Sequence, residues 1–298
     1  MKNIWLDTDI GCDCDDAGAL AILHELQDQG RCTILGITSC TSRIAAPGCI
    51  DAINNFYRHP DIPIGQTTRV GFMDRPEWDK YATAVATEFP NRYGTNGVVP
   101  DAVALLNEQM NKQPDQSVTL IAIGPLTNLA DWLSNKEGKE LAAQKITELY
   151  VMGGSFPTIC NGLENYAVRA ECNIVSDIPA ARQVIEEFPA PCILIPWELG
   201  TPVISGQPFI ERANIANPVR RAYELYCNAG RESWDPCTVF AAVVGERLWK
   251  SSPLGRITID EEGVCRFYTA DGGHQRYLMT QTPPEKVAHA LNALMTER

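Results

Sequence analysis

Five aspartates, Asp7, Asp9, Asp13, Asp15 and Asp16, fall within ten positions of the stretch DTDIGCDCDDAGAL, directly after the apolar run Ile4-Trp5-Leu6. Carboxylates at that density repel one another, so something must offset the repulsion. Water is one answer, with a helix N-terminus favouring Asp15 and Asp16 through its dipole. An EF-hand fails on spacing. Counted from Asp7, the fifth position is Gly11 and the sixth Cys12, where an oxygen ligand and then glycine are needed; counted from Asp13, the fifth is Ala17. A calcium or magnesium site at a strand's end is another answer, because a divalent cation lets several carboxylates share a small volume. Asp9 would then lie on the loop, with Asp15 and Asp16 opening a helix and pointing back towards it. A phosphatase of the D-x-D class is a rival, since Asp7 and Asp9 have that spacing. It would also need a downstream lysine and a second acidic pair.

The elements that must position these groups follow from the periodicity. Apolar, β-rich runs cover Ile4 to Leu6, Thr33 to Ser39, Ser117 to Ile123, Ile146 to Met152 and Cys192 to Ile195. Between the first two, Ala19, Ile22, Leu23 and Leu26 keep the i, i+3, i+4, i+7 stripe of a helix. Further helical patterns cover about 101–110, 126–133, 178–185 and 218–226. The alternation predicts an α/β fold with a mainly parallel open sheet flanked by helices. Residues 251–280 read as a small antiparallel C-terminal addition, with turns at Glu261-Glu262-Gly263 and Asp271-Gly272-Gly273. Residues 65–100 are the longest irregular stretch, and no low-complexity linker or repeat divides the chain, so residues 1–298 are expected to form one domain. Polar clusters follow the strands: Asp7-Thr8-Asp9, Ser39 to Arg43, Gly124 to Asn128, Gly153-Gly154-Ser155 and Trp197-Glu198. Ligands of open α/β sheets bind outside the carboxyl ends of strands, so these clusters can converge on one crevice.

Composition bounds the function. A net charge of -12 argues against nucleic acid or an anionic membrane as the main partner. No run of about 18 apolar residues suggests a membrane span. Met1-Lys2-Asn3 leads almost straight into the first apolar run, leaving no room for a signal peptide. The eleven cysteines are odd in number and scattered, which reads as reduced thiols in a cytoplasmic protein. Cys12 and Cys14 form C-x-C, and no second pair stands at zinc spacing.

DTDIGCDCDDAGAL resembles the N-terminal signature of the inosine-uridine preferring nucleoside hydrolase family, in the form that carries two extra residues before the final Asp-Asp pair. The likeness continues through IAIGPLTNLA (121–130), VMGGSF (151–156), NYAVRAECNIVSDIPAA (165–181) and WDP (234–236), five motifs in the family's order over roughly 230 residues. The resemblance implies Ca²⁺ held by Asp9, Asp16, Asp235 and the backbone carbonyl of Ile123, with Asp16 bidentate. It implies Asp15 as the general base for a calcium-bound water, with Asp13 as a less favoured candidate because of the insertion, and Asp7 as a support of the loop. Asn165, Glu171 and Asn173 would hold the 5′-hydroxyl and neighbouring ribose oxygens, and Met152 would pack under the sugar. Their bland alternatives are loop, cap and strand-end core roles. A homodimer or homotetramer is implied as well.

Two departures bear on substrate. Many members carry a histidine immediately before the last calcium-ligating aspartate, thought to protonate the leaving base; here Trp234 stands there, and His24, His59, His274 and His289 lie beside no matched motif. A tryptophan there is similar to the purine-specific branch, in which the base stacks between indoles, and Trp78 is a candidate for the second face, its alternative being ordinary loop packing. The second departure is Thr38-Ser39-Cys40-Thr41-Ser42-Arg43, where the family often has Gly-Asn. Thr41 or Ser42 could replace the lost ribose contact, and Arg43 could reach in. The expected function is calcium-dependent hydrolysis of the N-glycosidic bond of small-molecule nucleosides, leaning to purines. The alternative is a non-catalytic or altered-substrate ribosyl- or sugar-binding protein of the same fold.

Overall fold

The computed structural model describes residues 1–156 and 169–296. Their strands are β1 (Lys2–Thr8), β2 (Cys32–Ser39), β3 (Ile64–Gln66), β4 (Val118–Ala122), β5 (Ile146–Met152), β6 (Cys192–Ile195), β7 (Ile204–Ser205), β8 (Arg231–Glu232), β9 (Trp249–Ser251), β10 (Gly255–Ile259), β11 (Cys265–Thr269) and β12 (Gln275–Thr280). Ten of them form one sheet in the order β11-β10-β12-β6-β5-β4-β1-β2-β3, with β9 on β12. Every neighbouring pair from β3 to β6 is parallel, and β12 joins β6 in parallel too. The antiparallel addition is therefore real and continuous with the main sheet: β10 pairs antiparallel with β11 and β12, and β9 antiparallel with β12.

Alternation along β1 splits the core. Ile4 and Leu6 pack on one face, while Trp5 packs on the other with Leu120, Leu149 and Leu194. The helix Asp15–Asp28 lies on the first face, against helices Trp234–Val244 and Pro284–Thr296. Every residue from Asp15 to Leu26 is buried, so this helix is covered well beyond the stripe visible in its sequence. The stretch 65–100, which reads as irregular, contains the short helix Ala82–Glu88 and a 3₁₀ turn at Pro76–Trp78. No helix of the described residues is long and apolar enough to cross a membrane.

The order places β1 between β2 and β4, so the chain leaves β1 towards one side and returns through β4 on the other. That is a topological switch point, where a crevice opens at the carboxyl ends of neighbouring strands. Asp9 follows β1 and Ile123 follows β4, at its two lips.

Candidate active site

A cavity of about 230 Å³ opens at this point, lined by residues from loops after β1, β4, β5 and β6 and from the segment that includes β8. Of the sequence candidates, Asp9, Asp15, Asp16, Ile123, Met152, Glu171, Asn173, Trp234 and Asp235 all line it, as does Asp13. Asn165 lies outside the described residues.

Asp15, Asp16 and Asp235 each offer an oxygen within 4.8 Å of the others, and all three residues are buried. Two helix starts bring them together: Asp15 and Asp16 open the helix Asp15–Asp28, and Asp235 sits in the first turn of Trp234–Val244. Both N-termini present positive dipole ends to the cluster. The backbone N–H of Asp235 donates to Asp15 Oδ2 at 3.1 Å. The Thr8 hydroxyl donates to Asp16 Oδ1. Burial pushes all three carboxyls well above the usual range, and neighbouring carboxylates push them further. Burial likewise raises Asp9 to about 7, although the Arg43 guanidinium pulls against it. A bound divalent cation would reverse this balance by favouring the charged forms. Three converging, desolvated carboxyl groups with only oxygen donors fit a hard cation such as Ca²⁺ or Mg²⁺. Asp9, on the loop beside them, and the carbonyl of Ile123, which lines the same cavity, are the further oxygens available.

The scaffold beneath is hydrogen-bonded through the motifs. Asp7 is fully buried and takes the Thr38 hydroxyl at 2.6 Å and the Asn128 amide at 2.8 Å on Oδ1. Asn128 also donates to the Ser39 carbonyl at 3.1 Å, tying the loops after β1, β2 and β4 into one platform. Asp7 thus supports the loop, as its position suggests.

Glu171 and Asn173 form the opposite wall. Glu171 caps the short helix Cys172–Ser176, accepting from the N–H of Asn173 at 3.0 Å and Ile174 at 3.2 Å, and also from Gly154 at 3.3 Å. Gly154 reaches it at φ +79, a left-handed backbone that a side chain would strain. Burial raises the Glu171 carboxyl to about 7 against those three N–H bonds. The Asn173 amide donates to the Met152 carbonyl at 3.2 Å and to that of Ile123 at 3.4 Å, so it ties the Glu171 wall to the ends of β4 and β5.

The aromatic wall differs from expectation. Trp78 sits in the 3₁₀ turn, half-buried with the Arg75 guanidinium 5.2 Å from its ring, and is not among the described residues that line the cavity. The second indole in the wall belongs to Trp197, just past β6. Trp234 Nε1 donates to the Trp197 carbonyl at 2.9 Å, fixing the two residues together. The strand-end position of Trp197 was the available signal. Thr41, Ser42 and Arg43 do not line the cavity. Ser42 bonds the main chain of Phe72, and Arg43 donates to the Met73 carbonyl at 3.2 Å, so both hold the segment that brings Met73 into the wall. Sequence reasoning also missed Arg231, Cys12 and Cys172, which line the cavity; burial lifts the two thiols to about 12 and about 11. None of the four histidines lines it. His24 is buried against Asn54 and His59, and His274 and His289 are exposed.

The chain is similar to known proteins along most of its length. An uncharacterized protein of Schizosaccharomyces pombe is 28% identical over 202 residues, 62% of this chain and 53% of that one, so the match spans about half of that relative. Uridine nucleosidase 1 of Arabidopsis thaliana is 26% identical over 300 residues, covering 93% of this chain and 84% of the relative. The crystal structure of an inosine-uridine preferring nucleoside hydrolase from Bacillus anthracis has the same fold, with a TM-score of 0.76 at 19% identity over the full length of both chains. The pattern of the inosine-uridine preferring nucleoside hydrolase family matches residues 4–293, and the chain therefore belongs to that family of N-glycosidases.

Proposed function

We propose that the protein hydrolyses the N-glycosidic bond of ribonucleosides to ribose and free base, with Ca²⁺ as cofactor, Asp15 as general base and a leaning to purines. The observation that carries this reading is the convergence of Asp15, Asp16 and Asp235 within 4.8 Å in a cavity whose other wall is Glu171 and Asn173. Asp9, Asp16, Asp235 and the Ile123 carbonyl would hold the ion. When bound, calcium supplies the charge that binds adjacent ribose hydroxyls and makes water more acidic.

The chain's own residues do the rest. Asp15 takes a proton from the attacking water, its carboxylate oriented by the Asp235 N–H. The surrounding carboxylates favour the positive charge that develops at the anomeric carbon. Glu171 and Asn173, with Asn165, bind the sugar's far end, and Met152 packs beneath it. The leaning to purines rests on Trp197 and Trp234, whose indoles offer broad faces to a two-ring base; the Arabidopsis relative is named for uridine, so this is the point on which the two part. We expect a homodimer or homotetramer by size-exclusion chromatography.

Incubation with inosine, adenosine, guanosine, uridine and cytidine, following free base, tests the reading. Release from inosine exceeding that from uridine supports it. No release from any nucleoside, with ribose still bound, would establish the sugar-binding alternative.

A further inference from the structure

Two features set this chain apart from the family's usual signature: Asp13, in the insertion between Gly11 and Asp15, and Trp234, in place of a histidine. Arg231 joins them. Its Nε donates to Asp13 Oδ1 at 3.0 Å and Oδ2 at 3.1 Å, and its Nη2 donates to Oδ2 as well. Nη1 donates to Glu232, and the Tyr226 hydroxyl donates to Asp13 at 3.3 Å. The guanidinium lies 4.9 Å from the centre of the Trp234 ring and 5.2 Å from that of Tyr226. Arg231 is the single cation among the described residues lining the cavity, where six carboxyl groups, Asp9, Asp13, Asp15, Asp16, Glu171 and Asp235, share the wall with it.

We propose that Arg231 contacts the departing base and stabilises the negative charge it acquires, and that Asp13 is the positioning residue that holds it there. The inference rests on the nucleoside hydrolase reading above. When the bond from the anomeric carbon to the base nitrogen breaks, its electron pair goes to the base. The water oxygen bonds to the same carbon, and the water's proton goes to Asp15. A base without a proton donor leaves as an anion and takes a proton from solvent, while Asp15 gives its proton up to solvent; the sum is nucleoside plus water giving ribose plus base. Arginine does not give up its proton in proteins, so Arg231 acts by charge-assisted hydrogen bonding and not as an acid.

The geometry is suited to that work. Asp13 and Glu232 take three of the five guanidinium N–H groups, leaving one on Nη1 and one on Nη2 for a ring nitrogen or carbonyl oxygen of the base. The Asn173 amide, another side-chain donor in the wall, is directed at the Met152 and Ile123 carbonyls. A base held against Trp234 shares its wall with Arg231. A fork fixed on a carboxylate needs little reorganisation as charge develops, which is what makes such donors effective. The competing role is a clamp that ties the loop before Asp15 to β8. A clamp would be indifferent to what leaves.

The test compares kcat/KM for inosine and for 4-nitrophenyl β-D-ribofuranoside, whose nitrophenolate departs as a stable anion. The ratio of inosine to nitrophenyl riboside hydrolysis is expected to fall about 100-fold in R231Q, the usual scale for loss of one transition-state donor. It should fall less in R231K, which keeps the charge without the fork, and less in D13N, always in the same direction. If R231Q does not fold, R231K and D13N decide by the same ratio. An unchanged ratio in these variants, with both substrates losing equally, overturns the proposal and leaves the clamp. A wild-type protein inactive on both substrates overturns the nucleoside hydrolase reading itself.

Discussion

The main-chain N–H of Asp235 donates to a carboxylate oxygen of Asp15 at 3.1 Å, joining residues 220 positions apart. The contact works because each residue opens a helix, so both first turns face one point from opposite ends of the sequence. It occupies Oδ2 of Asp15 and not Oδ1, and Asp15 lines the cavity.

That division of oxygens predicts a separation of function. Asp15→Asn keeps the shape and can still accept from the Asp235 N–H, but it cannot take a proton. We expect kcat to fall by about 10²–10⁴, the usual worth of a general base. Calcium content, measured by atomic emission on dialysed protein, should stay near one ion per chain. Loss of the ion together with turnover would make Asp15 a ligand instead.

Calcium should also act on stability. Burial and mutual repulsion push the carboxyls of Asp15, Asp16 and Asp235 upward, a cost that a bound cation would relieve. A ligand bound only by the folded state stabilises it by about 2.7 kcal/mol at one hundred times Kd. We therefore expect Tm to rise on adding calcium to chelator-treated protein, and Asp16→Asn to abolish the rise. Tetrahedral zinc in the purified protein, or an unmoved Tm at millimolar calcium, would count against the assignment.

How far the sequence reveals this site depends on whether a residue's role is local. The five main parallel strands are legible because each is an apolar run ended by polar residues, and the aspartate helix because it carries a clear stripe. Ile123, which lines the cavity, is singled out through the motif although its side chain is apolar, since only its carbonyl would serve as a ligand. The second indole is not legible. As isolated residues Trp78 and Trp197 differ only in that Trp197 ends a strand, and it takes the cavity lining and the Trp234 bond to the Trp197 carbonyl to single one out. Arg231 is hidden for a similar reason: its partner Asp13 lies 218 residues away. Helix Trp234–Val244 escapes the periodicity because it is buried on nearly all faces and shows no stripe.

The two indoles give a prediction of their own. Trp234→Ala should lower inosine turnover more than uridine turnover while leaving calcium content intact, because stacking acts on the base. Trp197→Ala should do the same. Trp78→Ala, outside the cavity, should change either activity less than twofold, on the order of an ordinary surface substitution. Equal loss of both activities and of calcium in the Trp234 variant would reduce that residue to scaffolding. A large effect at Trp78 would mean that its segment closes over the base.

Glu171 links folding stability to pH. Burial raises its carboxyl from the ordinary 4.5 to about 7, while the N–H groups of Asn173, Ile174 and Gly154 hold it back from rising further. A folded-state value above the unfolded one means that folding favours the protonated acid. The stability contributed by this group is fully present below about 4.5 and is lost as pH rises to about 7. Glu171→Gln is neutral at every pH and cannot titrate. Its Tm relative to wild type should therefore climb between pH 4.5 and 7 and level off above that window. A flat difference across the range would show that Glu171 stays ionised in the folded protein. The three N–H bonds would then outweigh burial, and the sugar would meet a charged carboxylate throughout.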